Sequence, residues 1–150
     1  MATETAPALE RVIRGIESAE MVDPVADRLA AAVQSVLADR GDLRSLLSGT
    51  PLGHPAHPPL TDVVIGALGS ASLLDLLPGA WARRSASVLN VVGLAASVPT
   101  ILTGLSDWAD TKGSARRLGL AHADLNAIAF VLYLLALRNR VTGRGVRAAA

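Results

Sequence analysis

No cysteine occurs among the 150 residues, which excludes disulfides, Cys-ligated zinc and a self-contained iron–sulfur cluster in this chain. Aromatic side chains are almost as scarce at 3%, two tryptophans, one tyrosine and one phenylalanine, and so leave little to wall a haem pocket. Charge is thin as well. Charged residues make up 18% against 51% hydrophobic, too apolar a balance for a small soluble domain. A formal net charge of +1 gives no electrostatic footprint for nucleic acid.

What fills the space is a set of long apolar runs. From Ser85 to Ser106 no side chain ionises, and at about 1.5 Å rise per residue such a helix covers a hydrocarbon core of roughly 30 Å. Two neighbours read similarly. The stretch 60–77 is about the shortest that spans, with Asp62 and Asp75 near its ends, and 118–138 is long enough but carries His122, Asp124 and Asn126 in its first turns. The expected fold is an all-α integral membrane protein with three transmembrane helices, about 60–77, 85–106 and 118–138, behind an amphipathic helical N-terminal tail.

That tail, 1–48, has no signal-peptide pattern, because its basic residues are scattered among acids and no apolar core precedes Leu60. Leu9, Val12, Ile13 and Ile16 recur at helical spacing. Val22, Val25, Leu29, Val33 and Val36 do so again around Asp23-Pro24, which reads as an N-cap followed by proline at the first helical position, and Gly41 reads as the end of that helix. Two amphipathic helices are therefore expected, lying on the bilayer or covering the bundle. The membrane helical domain follows over 49–140, and 141–150 forms a short basic C-terminal tail.

Alternating spans sort the chain by side. His54, His57, Asp62, Asp107, Trp108, Asp110, His122 and Asp124 fall on one face, while Asp75, Arg83, Arg84, Arg138, Arg140, Arg144 and Arg147 fall on the other. Small and polar residues form stripes that predict close helix packing: Asn90, Gly93, Ser97, Thr100, Gly104 and Asp107 on the second span; Asp62, Gly66, Gly69 and Leu73 on the first; His122, Asn126, Ala129 and Tyr133 on the third. Pro99 should kink the second span, with Thr100 or Thr103 serving the carbonyl it frees. Lysine and arginine are spread over both faces, which leaves orientation open.

The chemistry, if any, lies on the histidine face. His54-Pro55-Ala56-His57-Pro58-Pro59 presents two imidazoles on a stiffened segment, and ionisable groups inside a span invite a functional reading. A haem would take His57 and His122. A single metal ion would draw on His54, His57, His122, Asp62, Asp107 and Asp124. The alternative is a hydrogen-bonded cap that seals the bundle mouth. No nucleophile–base–orienter triad, phosphate loop or paired-carboxylate site stands out, so an autonomous enzyme is not expected.

The runs "SGTPLGHPAHPPLTDVVIG", "LDLLPG", "GLAASVPTILTGLSDW" and "RLGLAHADLNAIAFVLY" resemble an uncharacterised bacterial membrane family, the domain of unknown function 2231, over about Ser48 to Arg138. The resemblance implies a multi-pass protein of the bacterial cytoplasmic membrane, often fused to or encoded beside a Rieske iron–sulfur domain. Its recurrent polar residues fall on His54, His57, Asp62, Asp75, Gly104, Asp107, His122 and Asn126. Relatives carry a fourth helix that is missing here, and Ala56, Pro59 and Val63-Val64 depart from their usual residues. The functional expectation is the membrane component of a redox or iron–sulfur system, with lipid, an iron–sulfur or other redox protein, or a second copy of itself as partners. A structural anchor or interaction scaffold without a cofactor is the competing expectation.

Overall fold

A computed structural model describes residues 5–142; the basic tail expected at 141–150 lies almost wholly outside them. The described residues contain helices and turns but no strand: α1 (Thr5–Glu17), α2 (Asp23–Leu37), α3 (Gly41–Ser48), α4 (His57–Asp75), α5 (Ala80–Ala109) and α6 (Gly113–Val141), with short 3-10 turns at Glu20–Val22 and Thr50–Leu52. α5 and α6 are long and apolar enough to cross a membrane. α4 covers the first expected span, but His57, two prolines and Asp62 occupy its first turns and Asp75 closes it, and it is not counted with the other two.

The tail breaks differently from its sequence signals. α2 ends at Leu37, and Gly41 opens α3 instead of closing α2. Asp23 is no N-cap, since no side chain caps α2 and the Asp23 carboxylate is taken by Arg117. Pro24 does occupy the first turn, where a missing N–H costs nothing. α2 buries Ala26, Ala30 and Leu37, while Val25, Leu29 and Val36 from the expected packing stripe face outward. Small alanines let α2 approach the bundle closely, and that closeness outweighs the larger area its valines would bury.

α4 and α5 form the main packed pair. Along α5 the buried residues Ala82, Ala86, Asn90, Gly93, Leu94 and Ser97 recur at steps of three and four, and Ala67, Leu68 and Ala71 meet them from α4. Leu68 sits directly over Gly93, in space a β-carbon would occupy. The α5 stripe thus packs as expected from Asn90 to Gly104, whereas Asp107 is exposed. The α4 stripe does not pack: Asp62, Gly66, Gly69 and Leu73 are exposed, and both glycines face open space.

Pro99 stands within a continuous α5. The Thr100 hydroxyl turns to the Ala96 carbonyl at 2.7 Å and that of Thr103 to Pro99 and Thr100, so neither hydroxyl serves the Ala95 carbonyl that the proline frees.

α6 is laid on the outside of this pair. Arg116 is its one buried residue, and Leu125, Ile128, Val131, Leu132, Leu134 and Leu135 are all exposed. Such a contiguous apolar surface marks contact with lipid or with another protein.

Packing of this kind makes opposite predictions for glycines on the two faces. Gly93→Val should overlap Leu68 and lower stability by about 1–3 kcal/mol. Gly66→Ala and Gly69→Ala, in open space, should be neutral or stabilise by up to about 1 kcal/mol through helix propensity. Thermal unfolding in mild detergent would measure all three.

Candidate functional site

The histidine face is assembled where α4 begins, α5 ends and α6 begins. Gly49, at φ +81°, closes α3 in the left-handed region, and a β-carbon there would overlap the His54 carbonyl and crowd the Ala56 nitrogen. This tight loop directs the chain into α4, whose first turn takes Pro58 and Pro59.

His57 then lies across the α4–α5 seam. Its ring covers Gly104, with Cε1 only 2.7 Å from where a β-carbon would stand. Nδ1 is 3.0 Å from the Thr100 carbonyl and 3.2 Å from Thr103 Oγ1. A carbonyl can only accept, so Nδ1 carries the proton and donates it there. Nε2 faces the Thr61 hydroxyl at 3.4 Å, but that hydroxyl donates to the His57 carbonyl at 3.0 Å. Asp107, one turn past Gly104, is exposed.

The remaining candidates stand apart. His54 is exposed in the loop, its Nδ1 3.0 Å from the Pro55 carbonyl. His122 is exposed on α6, where its Nε2 accepts from Asn126 Nδ2 at 3.0 Å while the same amide reaches the His122 carbonyl at 2.8 Å. Asp62 and Asp124 are exposed. The expected gathering of His54, His57, His122, Asp62, Asp107 and Asp124 is therefore not formed: among the described residues no group of three or more His, Asp or Glu side chains is placed to hold a metal ion. The reason is helical phase. His57 points into the α4–α5 seam, whereas His122 belongs to the outward side of α6 and bonds only within its own helix.

What this face does contain is a clasp between the tail and the bundle, built from residues not singled out as a site. Arg116, 8% exposed, donates to Asp27 of α2 and to the carbonyls of Ala109 and Thr111. Arg117 grips Asp23 with two nitrogens, Nε at 2.7 Å and Nη2 at 2.6 Å, and donates to the Glu17 carbonyl. Gln34 of α2 donates to the Ala109 carbonyl at 2.8 Å, and Arg44 of α3 pairs with Asp110 at 2.7 Å. Arg116 and Gln34 thereby satisfy the Ala109 carbonyl at the C-terminus of α5, which has no partner within the helix. Trp108 packs against Gly119 and donates its indole N–H to the Arg116 carbonyl at 2.9 Å, closing the α5–α6 turn. A signal for the clasp was present: Arg116 and Arg117 stand at a helix N-terminus, where the dipole disfavours cations unless acids neutralise them.

No family model matches the chain, and neither does any curated protein or solved structure. Its chemistry has to be argued from the residues themselves.

The clasp is sensitive to acid. The guanidinium of Arg117, hydrogen-bonded to Asp23, holds that carboxyl below its ordinary value of 3.8. A lowered folded-state pKa stabilises fully above the unfolded value and is lost as pH falls through the lower folded one. The tail should accordingly stay docked at neutral pH and loosen as pH drops below about 4, with Asp23→Asn loosening it already at pH 7; proteolysis between α1 and α3 would read both. Arg116→Ala should loosen the tail through the loss of Asp27 and also lower the stability of the α5–α6 turn, since it strips the Ala109 and Thr111 carbonyls of a donor.

Proposed function

We propose that this chain is a multi-pass protein of a bacterial plasma membrane, acting as a structural anchor or interaction scaffold, with α4 as a third, shorter span beside α5 and α6. The observation that carries the membrane part is the surface of α6, where a helix long enough to span turns its leucines, isoleucine and valines outward. The pairing of Asp75 with Arg140 supports α4 as a span, because it joins the far ends of α4 and α6 and neutralises both charges at one level.

The scaffold part is supported by how the polar residues at the histidine face are used. His57 is engaged across the α4–α5 seam, and Arg116, Arg117, Gln34 and Arg44 fasten the tail. A redox or iron–sulfur component with a resident metal or haem would need donors converging on a common point, and among the described residues no such convergence supports it. Membership of the domain of unknown function 2231 belongs to the same proposal and rests on the quoted motifs alone.

The test has two parts. The chain should remain in the membrane pellet after alkaline carbonate washing; release into the supernatant sinks the membrane reading. Purified in mild detergent from cells well supplied with haem and iron, His57→Ala should lower stability by about 1–3 kcal/mol, by losing its hydrogen bonds and its packing on Gly104. His122→Ala, on an exposed face, should change stability by no more than about 0.5 kcal/mol. Stoichiometric metal or split haem bands in the wild type that vanish in His57→Ala would replace the scaffold reading with the redox one.

A further inference from the structure

At the end of the bundle away from the tail, α4 and α6 part around an open cleft of about 340 Å³. Leu132 and Ala136 of α6 give it an apolar wall, and Ser72, Asp75, Tyr133 and Arg140 give it a polar rim. Side chains bridge the two helices here: the hydroxyls of Ser72 and Tyr133 meet at 2.8 Å, and Arg140 Nη2 donates to Asp75. One donor is left over. The Nε–H of Arg140 is buried and meets no partner among the described residues.

An unpartnered guanidinium N–H carries a desolvation cost, and the Arg140 side chain, 21% exposed, borders the groove where an anionic group could meet the guanidinium. The charge around it is one-sided. Arg83, Arg84, Arg138 and Arg140 gather at this end, and Asp75 is the one acid among the described residues there. Asp75 holds one nitrogen of Arg140, fixing the fork across the cleft without cancelling the charge of the other arginines.

We infer that the α4–α6 cleft binds an anionic phospholipid, its phosphate received by Arg140 with the Tyr133 hydroxyl beside it and one acyl chain lying along Leu132 and Ala136. Basic pockets between membrane helices at headgroup depth take anionic headgroups in this way. The inference rests on the membrane reading above.

The experiment is native mass spectrometry of the full chain in a neutral detergent, with phosphatidylglycerol, phosphatidylcholine or inorganic phosphate added separately. Phosphatidylglycerol should be retained roughly tenfold more strongly than phosphatidylcholine, because both carry a phosphate for Arg140 but the choline cation is repelled by the arginines at this end, and Arg140→Gln should abolish that preference. Ala136→Phe, which fills the cleft and leaves every charge in place, should also abolish it, and it keeps the inference testable if Arg140→Gln fails to fold. Arg83→Ala should largely keep the preference. Equal retention of the two lipids, an unchanged preference in Ala136→Phe, or displacement of phosphatidylglycerol by millimolar inorganic phosphate would overturn the lipid site. A chain washed out of membranes by carbonate fails the membrane reading as well; a chain that stays but shows no preference fails only this inference.

Discussion

Leu68 lying over Gly93 is the contact on which the rest of the molecule depends. It can exist only because α5 offers no side chain at that level, and it brings two backbones together over the run from Ala67 to Ala71. With that spacing fixed, the His57 ring finds the same absence at Gly104 and reaches the Thr100 carbonyl. Further along, Asn90 is fully buried, its amide 3.4 Å from the Tyr133 carbonyl of α6. Where lipid provides no driving force for apolar burial between helices, close van der Waals contact and a few hydrogen bonds must supply the cohesion. Two glycines on one stripe of α5 supply the access.

That stripe was readable because a helix with small residues every three or four positions can hardly use them for anything else. The α4 stripe was just as regular and points the other way. Periodicity identifies a face; it does not say which neighbour exists to receive it. Gly66 and Gly69 are exposed because α4 has a partner on one side, and that side is taken by Ala67, Leu68 and Ala71. In α2 the bundle is approached by Ala26 and Ala30, which leaves Val25, Leu29 and Val36 of the stripe expected on the bilayer or over the bundle exposed.

The candidate site was legible in its coarse placement. Alternating spans correctly put the start of α4, the end of α5 and the start of α6 at one end, and Asp75 with Arg140 at the other. Convergence at one level is not convergence on one point, however, and His122 is turned away by the phase of α6. The acids of the tail and the two arginines opening α6 were each visible, but their pairing spans about ninety residues of chain. Nothing local in the sequence specifies so distant a match.

In a membrane the clasp would also set a level along the bilayer normal. On the membrane reading, Arg117 and Arg138 bracket a stretch of α6 about 30 Å long, the thickness of a hydrocarbon core. α5 is 30 residues long and would reach about 45 Å, so part of it must stand clear of the lipid or tilt within it. The tail grips the end of α5 at Ala109 and the start of α6 at Arg116. On that reading the three charged tail helices, fixed at that point by Arg116 and Arg117, would act as a collar at the headgroups, and the depth of the bundle would follow from the position of those two arginines instead of from helix length alone.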